Sequence, residues 1–360
     1  GWSLYDRLAR EFAPLPAAAA GLDGSVDEEL PPGSPADRLS AHRALKGKML
    51  RTEVCVLDGA AQEDIPYRIG TCSYRIRLVQ AKGGNRWGVH QALDTESAEI
   101  QMERDAADPR IVHKLTLAVD DQGLPLRSAD IAYGRAAAPA GLDGQVLTAQ
   151  QASHVTVSSV RHIPDLGAAR FWRKRMACET ATYELTGASP AGAAWTPDEL
   201  DATFLGAAPR DYAAAVPPTP ARRLIELERV LLADDGDPAL PSLPLATPAR
   251  RAIVHQTYKL AFDATLRQAL YGTDVADADL VAAHYVPQAD LEAAGLFPAG
   301  EPARWWTASG HVEYPAAPAS KFFRPVAYVD PVGQRTEVRE YRDYFLLLDR
   351  IRDAAGNDLT

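Results

Sequence analysis

The sequence predicts a mainly β protein, in which antiparallel sheet is interrupted by a helical segment around residues 196–296. Three observations support this fold class. Residues 41–189 contain runs of alternating apolar and polar side chains, residues 196–199 have the composition of a helix start, and the last forty residues repeat one tight turn. Alternation places successive side chains on opposite faces of a strand, whereas a helix start follows from capping chemistry. We therefore divide the chain into four segments: 1–40, 41–189, 190–303 and 304–360.

The first segment, residues 1–40, has little periodicity and is rich in proline, glycine and alanine. One short amphipathic helix is indicated by the apolar spacing of Trp2, Leu4, Tyr5, Leu8 and Phe12. The run Pro31-Pro32-Gly33-Ser34-Pro35 is typical of extended chain without regular structure. We expect an irregular N-terminal strap or linker here.

The second segment, residues 41–189, is predicted to be a meander of β-strands. Within residues 73–78, three apolar side chains alternate with three polar ones, which is typical of a half-buried antiparallel strand. A longer run has an apolar face formed by Ile111, His113, Leu115, Leu117 and Val119. Short glycine- and asparagine-containing stretches separate these runs, so we expect turns between successive strands.

The third segment, residues 190–303, contains helices. Thr196-Pro197-Asp198-Glu199 combines an N-cap threonine, a proline at the first helical position and a glutamate placed to reach back to the cap. From Val254 to Leu270, apolar residues recur at three- and four-residue steps before Gly272, which predicts an amphipathic helix. The run from Leu224 to Leu232 fits both the helical and the strand period. Weaker helices are predicted at 278–284 and 290–296.

The last segment, residues 304–360, repeats a turn of the form Asp-x-x-Gly. Asp330 and Gly333 form one copy, and Asp353 and Gly356 form another 23 residues later (353 − 330). The aspartate caps its own backbone and the glycine supplies the positive φ that a tight turn needs. The same pattern stands earlier in the chain at Asp120 and Gly123. A fixed period of this length indicates stacked hairpins, although such turns also occur in other β proteins.

Stacking predicts which aromatic residues pack between layers, because a single hairpin is only marginally stable in water. The residues that we expect to pack in this way are Tyr133, Trp305, Trp306, Phe322, Phe323 and Tyr341. The six turn residues Asp120, Gly123, Asp330, Gly333, Asp353 and Gly356 are the predicted structural sites. Asp108 and Arg110 are expected to brace the corner before the strand that starts near Ile111.

Composition limits the class of partner and site. The formal net charge of −10 argues against nucleic acid or an anionic membrane as the main partner, and no apolar run approaches the ~20 residues that cross a bilayer. Cys55, Cys72 and Cys178 lack the spacing of a zinc site, so we expect small buried side chains, with a Cys55–Cys72 disulfide as the alternative. We expect no cofactor and no metal. The chain starts with Gly1 and ends within a turn, so it is expected to be part of a longer protein.

Side chains that could carry chemistry have structural alternatives. His113, His154 and His162 lie in predicted strands, where a hydrogen-bonded structural histidine is the simpler explanation. Glu337 with Glu340, or Asp343 with Asp349, could form the acid and base of a glycoside hydrolase, with Trp305-Trp306 as a sugar platform. No nucleophile elbow, phosphate-binding glycine loop or HExxH motif occurs, so we predict that the chain is not an enzyme.

The order of several motifs resembles the B component of bacterial insecticidal toxin complexes (Tc toxins), over roughly residues 41–360. The motifs are Arg43–Glu53, Glu103-Arg104, Asp108–His113, Val119-Asp120 with Gly123, Leu126–Ser128, Tyr133–Arg135, Tyr183–Gly187, Arg223–Glu226 with Arg229, Tyr258–Phe262, Trp305-Trp306, Ser309-Gly310 and Phe322–Pro325. Three features depart from the family pattern: residues 1–40 have no counterpart, Cys55 stands where an aromatic is usual, and Gln334 replaces the usual asparagine.

The resemblance implies a structural role. In that family this region precedes Rhs/YD repeats and contributes to a hollow β-sheet shell, which the B and C components build around a cytotoxic cargo. The implied partners are the remainder of the B-component chain, the C component and the pore-forming A component, in a secreted complex assembled in the bacterial cytoplasm. The resemblance also favours a strand at Leu224–Leu232. The self-cleaving aspartates of the family lie in the partner's C-terminal part, so none is assigned here.

Two other functions remain open from the sequence. One is a β-rich domain that binds or cleaves glycans, and the other is an Rhs polymorphic toxin shell with its cargo on the same chain. A glycan array with a hydrolysis screen separates the first from a shell segment, and the gene sequence after Thr360 decides the second.

Overall fold

The computed structural model describes residues 12–31, 33–56, 58–135, 141, 143–168 and 171–360. Four residues of the predicted N-terminal helix, Trp2, Leu4, Tyr5 and Leu8, lie outside the described residues. The chain divides into two compact units. Unit 1 comprises the described residues of Gly1–Ser158, Glu184–Pro209 and Val216–Arg222, and unit 2 comprises those of Ser159–Tyr183, Arg210–Ala215 and Arg223–Thr360.

The described residues are mainly β. The strands are β1 (Val26–Glu29), β2 (Arg51–Val54), β3 (Arg68–Gln80), β4 (Val89–Gln101), β5 (Arg110–Val119), β6 (Pro125–Ala132), β7 (His154–His162), β8 (Leu166–Ala168), β9 (Phe171–Arg173), β10 (Ala177–Thr186), β11 (Ala208–Arg210), β12 (Ala221–Leu232), β13 (Val254–Asp263), β14 (Tyr285–Pro287), β15 (Arg304–Ala308), β16 (His311–Glu313), β17 (Ala327–Val329), β18 (Arg335–Arg342), β19 (Leu347–Arg352) and β20 (Asp358–Leu359). The α-helices are α1 (Pro35–His42), α2 (Gly144–Gln151), α3 (Pro197–Gly206), α4 (Ala264–Tyr271), α5 (Asp277–Ala282) and α6 (Gln288–Ala293).

Unit 1 is built on an antiparallel meander in which β3, β4, β5 and β6 follow one another, with β2 antiparallel and β1 parallel to β3. The register aligns Ile69 of β3 with Ile100 of β4, and Ile100 with Ile111 of β5. These three side chains are buried and form one row across the sheet. Strands β3 to β6 therefore form an antiparallel meander, whose apolar face contributes to the core of unit 1, whereas Gly144–Gln151 within the same segment is helix α2.

The N-terminal segment contributes to that core. Ala19 and Leu22 are buried against the isoleucine row, and the segment also contains β1 and α1. Ser34 caps α1 by accepting a hydrogen bond from the N–H of Asp37, as expected for a serine before a first-turn proline. Residues 12–31 and 33–40 are therefore more regular than the predicted strap, because strand β1 pairs along β3 and helix α1 begins at Pro35.

Strand β5 shows the predicted alternation most clearly. Ile111, His113 and Leu115 are buried, whereas Val112 and Lys114 between them are exposed. Leu117 and Val119, predicted on the same face, are half-buried. A period of two over this run places one set of side chains in the core, as the sequence indicated.

Unit 2 contains an antiparallel sheet in which β13 lies between β12 and β15, and β14 pairs with the other edge of β15. Leu224–Leu232, which the resemblance favours as a strand, is a strand. The helix predicted over Val254–Leu270 is wrong for its first part, because residues 254–263 form β13. Helix α4 begins only after Asp263, whose side chain caps it by accepting from the N–H of Leu266.

The reason for this error is that the apolar residues of β13 satisfy both periods. Tyr258 and Phe262 are four residues apart, as on one face of a helix, yet with Leu260 they also alternate as on one face of a strand. Backbone hydrogen bonding to β12 and β15 on both sides decides the conformation, and sequence spacing does not contain that information. The two weaker helices occur as α5 and α6.

Helix α3 begins where the sequence predicted, at Pro197 after the N-cap Thr196. The Thr196 hydroxyl accepts a hydrogen bond from the N–H of Glu199. The predicted return contact of Glu199 is different, because its carboxylate accepts from the N–H of Ala191, 2.7 Å away. The helix buries Leu200 and Phe204 on one face, in the i and i+4 positions that an amphipathic helix presents to a core.

The terminal residues of unit 2 form a second antiparallel sheet, which we call the terminal sheet, with the order β16-β17-β18-β19-β20. Ser309 and Gly310 alone connect β15 to β16. The Ser309 hydroxyl accepts from the N–H of Thr257, and the Gln256 side chain donates to the Ser309 carbonyl. A Cβ atom at Gly310 would clash with the Val329 carbonyl oxygen, so the connection is closely packed.

Candidate functional site

The three predicted Asp-x-x-Gly turns have the same hydrogen bonds. In each, the glycine N–H donates to the aspartate carbonyl, as seen for Gly123, Gly333 and Gly356. The aspartate N–H donates to the carbonyl four residues later, and the aspartate Oδ1 accepts from the N–H of that same residue. This is a type I turn followed by a residue of positive φ, a hairpin loop that matches the strand twist.

The glycines of these turns have φ values of +85°, +85° and +91° at Gly123, Gly333 and Gly356. A side chain would be strained at each position whatever the space around it. Space differs among them: a Cβ at Gly123 would lie 2.6 Å from Leu93 Cδ2, whereas nothing lies within 4 Å at Gly333 or Gly356. Only the Gly123 turn is therefore also limited by packing.

Each of the three turns closes a hairpin. The Asp120 turn joins β5 to β6, the Asp330 turn joins β17 to β18, and the Asp353 turn joins β19 to β20. The last two hairpins lie side by side in the terminal sheet, since β18 also pairs with β19. The 23-residue spacing between Asp330 and Asp353 thus covers strand β18, the connection to β19, and β19 itself.

The terminal sheet carries a ladder of opposite charges. Arg335 pairs with Glu313 at 3.0 Å across the strands, and Arg339 pairs with Glu337 at 2.8 Å. Arg352 pairs with Asp358 at 2.8 Å, and the register places it opposite Glu337. All these side chains are solvent-accessible, so each pair contributes little free energy, but their alternation favours this register.

The terminal sheet also exposes apolar side chains around the β18–β19 connection. Tyr344 is 82% exposed, and Leu346, Leu347 and Leu348 are each more than half exposed. Tyr344 and Phe345 have positive φ, which holds this connection in a tight turn. Four large apolar or aromatic side chains exposed within five residues are unusual for a surface that faces only water.

A buried ion cluster lies in unit 2. Arg229 of β12 is 3% exposed, and both ends of its guanidinium group are occupied. Nη1 and Nη2 each donate to Glu301 at 2.7 Å, and Nε donates to Glu179 at 2.7 Å. The rings of Phe297 and Trp306 lie 4.6 and 5.2 Å from the guanidinium carbon. All nitrogen atoms of this buried cation therefore have a partner.

The electrostatics of the cluster favour the charged forms. Burial opposes ionisation of Glu301, but the hydrogen bonds and charge of Arg229 outweigh it, so the pKa of Glu301 lies below its ordinary value. Burial also opposes the charge of Arg229, but Glu301 and Glu179 outweigh it, so the pKa of Arg229 is raised. The Arg229–Glu301 pair is therefore favoured in its charged form, and Glu179 supplies a further hydrogen-bond acceptor.

The two predicted tryptophans belong to the core of unit 2. Trp306 is fully buried, and its indole N–H donates to the Gln288 side chain at 2.7 Å. Gln288 in turn donates to Glu301, which links the tryptophan to the ion cluster. Trp305 is 8% exposed and packs with Phe262 and Leu280. Neither indole is available as a sugar platform.

Unit 1 has a chain of polar contacts within its core. His113 Nε2 lies 2.7 Å from Glu96 Oε1, and His113 Nδ1 lies 3.0 Å from the Tyr133 hydroxyl. That hydroxyl accepts from the N–H of Trp195, and Ser73 donates to the other Glu96 oxygen. His113 is thus the hydrogen-bonded structural histidine that the sequence indicated, and burial raises the pKa of Tyr133 to about 12.

The remaining predicted packing residues have different environments. Tyr341 is half-buried, donates its hydroxyl to the Pro325 carbonyl and contacts the edge of Phe345. Phe323 lies under Arg251, 4.3 Å from the guanidinium carbon to the ring centre. Phe322 is 67% exposed in a left-handed turn, so within this chain it does not pack into a layer.

The predicted corner near Ile111 uses different pairs from those expected. Asp108 pairs with Arg135, and Arg110 pairs with Glu103, in both cases through short side-chain contacts. Both side chains form ion pairs at the start of β5, but they do not pair with each other. Arg135 also contacts Gln150 of α2, which joins the corner to the next helix.

The proposed acid and base carboxylates are paired with arginines in three of the four positions. Glu337 pairs with Arg339, Glu340 with Arg350, and Asp349 with Arg342. They lie on the solvent-accessible terminal sheet, where each carboxylate is already engaged by an arginine side chain. This arrangement does not favour glycoside cleavage.

The described residues offer little other chemistry. In this part of the chain no group of three or more His, Cys, Asp or Glu is arranged to hold a metal ion. The three cysteines are free thiols, with Cys55 exposed, Cys72 intermediate and Cys178 buried, so the alternative Cys55–Cys72 disulfide is absent from these residues. Of the helices described, none is both long and apolar enough to cross a membrane.

Sequence reasoning missed the ion cluster of unit 2. Arg229 was noted only within a motif, and Glu179 and Glu301 lie 50 and 72 residues from it. Charged residues at such separations give no periodic signal. The one hint is Arg229 itself, an arginine among the apolar residues of Leu224–Leu232, which requires buried partners if the run is a core strand.

Comparisons with known proteins agree with the geometry. Residues 40–183 match a family model described as the insecticide toxin TcdB middle/C-terminal region. Among curated proteins, no sequence matches this chain. Three solved structures have a similar fold over 99% of this chain: a Photorhabdus luminescens Tc holotoxin pore (TM-score 0.72, 21% identity), TcdB2-TccC3 (0.67, 21%) and TcdB2-TccC3 without its hypervariable C-terminal region (0.68, 20%). The chain spans 16–18% of the length of those chains.

Proposed function

We propose that this chain, whose residues 40–183 match the family model of the insecticide toxin TcdB middle/C-terminal region, is a non-catalytic wall segment of a Tc toxin B component. Its role would be to help enclose a cytotoxic cargo before translocation. The observation that carries the proposal is the fold similarity to Tc toxin chains over 99% of the residues. Similarity of fold over so much of the chain supports the proposal that these sheets have the same structural role as the corresponding sheets of the Tc toxin chains.

The composition of the sheets supports a wall. The terminal sheet has hairpin turns of one design, a ladder of paired charges and exposed apolar side chains beside Tyr344. A surface of this kind is stabilised when further sheet packs against it. The polar clusters at Arg229 and His113 are fully hydrogen-bonded, so they rigidify the sheets.

The partners follow from the same proposal. The segment would continue into the rest of its own B-component chain, and the shell would be completed by the C component that carries the cargo. The pore-forming A component would then receive that cargo. The solved structures that support this are named as complexes of TcdB2 with TccC3 and as a Tc holotoxin pore. We propose a secreted complex assembled in the bacterial cytoplasm.

Protection of the cargo from protease tests the wall role. The B component containing this segment is co-expressed with a C component, and cleavage of the cargo is followed over time with the cargo alone as reference. We expect cleavage to be slowed at least about tenfold by enclosure, and to be accelerated by Gly310→Val, which forces a side chain against Val329. A matched control is Gly84→Val, where a Cβ has no neighbour within 4 Å and the backbone φ is not positive. Equal cleavage of free and enclosed cargo would contradict the proposal.

A screen for glycan binding and glycoside hydrolysis tests the non-catalytic part. The purified chain is applied to a glycan array and to chromogenic glycosides. We expect no binding and no hydrolysis, because Glu337 and Glu340 of the terminal sheet are paired with arginines and both indoles of Trp305 and Trp306 are buried. Hydrolysis that is lost in Glu337→Gln would favour the glycosidase alternative instead. The gene sequence after Thr360 separates a B component from a polymorphic toxin shell.

A further inference from the structure

An open cleft of 670 Å³ in unit 2 is not used by the proposed wall role. It lies between helix α4, the connection to α5, the start of α6 and the first residues of β15. We call it the Arg304 cleft, and its lining is Ala264, Arg267, Gln268, Gly272, Thr273, Val275, Ala276, Asp277, Pro287, Gln288, Ala289, Ala303, Arg304 and Trp305. Two guanidinium groups and one carboxylate thus face a space larger than an ion.

Arg304 is a cation whose hydrogen-bond donors are not used. Its side chain is 17% exposed, and the nearest carboxylate is Glu301, 4.0 Å from Nη1. Within the described residues, no hydrogen bond from its guanidinium group is formed. A guanidinium group has five donors and keeps its charge, and no Arg304 nitrogen is among the buried side-chain atoms without a partner, so solvent in the cleft reaches these donors.

The carboxylates around Arg304 are committed elsewhere. Both oxygens of Glu301 accept from Arg229 at 2.7 Å, and one also accepts from Gln288. Asp263, which lies opposite Arg304 in the strand register, accepts from the N–H of Leu266 and of Tyr212. Burial lowers the pKa of Arg304, and Glu301 only partly offsets this. The Arg304 donors are therefore left to solvent, which an incoming anion can replace.

Arg267 supplies a second cation, and its side chain is held in place by contacts with its neighbours. Its Nη2 donates to the Val275 carbonyl at 2.9 Å, and its guanidinium carbon lies 5.7 Å from the Trp305 ring centre. Its ion pair with Asp277 is short at 2.6 Å, but the Asp277 side chain is 72% exposed. Solvent weakens such a pair, so an incoming anion can compete for Arg267.

We propose that the Arg304 cleft is a binding site for an oxyanion, carboxylate or phosphate, carried on a small molecule or an acidic side chain. Arginine pairs with both groups through two parallel N–H···O bonds. Arg304 supplies the unused donors and Arg267 the second charge, and the largely buried Trp305 ring lies beneath the Arg267 guanidinium group. The site lies within one unit and does not depend on the wall role.

Calorimetric titration of the 360-residue chain with inorganic phosphate, succinate and an acetylated glutamate amide tests the site, with chloride at equal ionic strength as reference. We expect saturable binding of at least one oxyanion with a Kd of about 1 mM or tighter. Arg304→Gln is expected to weaken binding about tenfold or more, and Arg304→Lys less, because lysine keeps the charge and loses the paired geometry. The ligand that binds best distinguishes phosphate from carboxylate.

The matched control is Arg350→Gln, an exposed arginine outside the cleft lining that pairs with Glu340 at 3.5 Å. It should bind like the unchanged chain, and thermal unfolding should show that each variant is folded. Arg267→Gln provides a second variant if Arg304→Gln does not fold. The proposal is overturned if the unchanged chain binds none of the three anions, if a folded Arg304→Gln binds equally, or if Arg350→Gln weakens binding as much.

Discussion

At the scale of single residues, the Asp-x-x-Gly turns depend on one backbone geometry. Gly356 has a φ of +91°, and a Cβ at this position would have no neighbour within 4 Å, so any cost of substitution there comes from backbone strain alone. Gly123 combines the same strain with contacts to Gln91 and Leu93. Comparing substitutions at Gly356 and Gly123 therefore separates the free-energy cost of backbone strain from the cost of steric clashes.

Gly356→Val is expected to destabilise the terminal hairpin by roughly 1 kcal/mol or more, because β-branched residues resist positive φ. Hydrogen exchange of the amides in β19 and β20 measures this local opening. Ala355→Val, at an exposed neighbouring position of ordinary φ, is the control and should change exchange little. Unchanged exchange in Gly356→Val would show that the turn is not held by this residue.

Arg229→Met is expected to lower the free energy of unfolding by about 3 kcal/mol, because it leaves Glu179 and Glu301 without their buried cation. Urea unfolding at pH 7 measures it, and Arg350→Met at an exposed ion pair should cost about 0.5 kcal/mol or less. A loss no larger than that of the control would contradict the role of the cluster.

The same cluster predicts a pH dependence. The pKa of Glu301 is lower in the folded chain than its ordinary value of 4.5, so its contribution to stability is present above that value. As the pH falls through the lowered pKa, Glu301 takes up a proton and the contribution is lost. Urea unfolding between pH 6 and 3 should show a steeper decline for the unchanged chain than for Glu301→Gln.

At the scale of elements, the strands and turns of unit 1 could be predicted because their signals are local. Ile111, His113 and Leu115 alternate with exposed residues, and a capping threonine stands before α3. Strand β13 could not be predicted, because Tyr258 and Phe262 fit two periods and the pairing partners decide between them. The Arg229 cluster joins residues 50 and 72 positions apart, which no sequence window contains.

Thr196→Ala is expected to destabilise the chain by about 1 kcal/mol, because the N–H of Glu199 at the start of α3 loses its acceptor. Thr196→Ser keeps the hydroxyl and is the matched control, so its stability should lie close to that of the unchanged chain. Thermal or urea unfolding compares the two. Equal losses in both variants would show that the hydroxyl does not cap the helix.

His113→Leu is expected to cost about 2 kcal/mol, because the Glu96 carboxylate and the Tyr133 hydroxyl each lose a buried partner. The control is Lys114→Leu on the opposite, exposed face of β5. Urea unfolding of the chain, followed by tryptophan fluorescence, measures the difference. If the two substitutions had the same effect, the polar chain in the core would not contribute to stability.

At the scale of the whole molecule, the described residues of the chain are mainly β-strand and divide into two compact units. Its buried charges in the Arg229 cluster are internally satisfied, and several of its exposed apolar residues are concentrated near Tyr344, where we propose that further sheet packs. Compositional arguments from the whole sequence, such as net charge, excluded classes of partner. They could not indicate that large sheets rather than a central pocket organise the chain.

The cleft that contains His255 and His311 predicts how the stability of unit 2 depends on pH. Burial, and next the nearby His311, lowers the pKa of His255, and Asp237, Glu313 and Tyr314 line the same cleft. A lowered pKa means that the folded form prefers neutral His255, so stability is lost as the pH falls below the ordinary value of 6.5. Urea unfolding at pH 7.5 and 5.5 should show this loss in the unchanged chain and a smaller one in His255→Gln. Equal losses would contradict it.

The two-residue connection between β15 and β16 has a geometric consequence. The carbonyl and the hydroxyl of Ser309 each accept a hydrogen bond, and Gly310 lies against the Val329 carbonyl. These contacts restrict the relative orientation of β15 and β16. The angle between the sheet that contains β15 and the terminal sheet therefore depends on Ser309 and Gly310. If further sheets are joined by connections of this kind, the geometry of each connection determines the curvature of the larger enclosure.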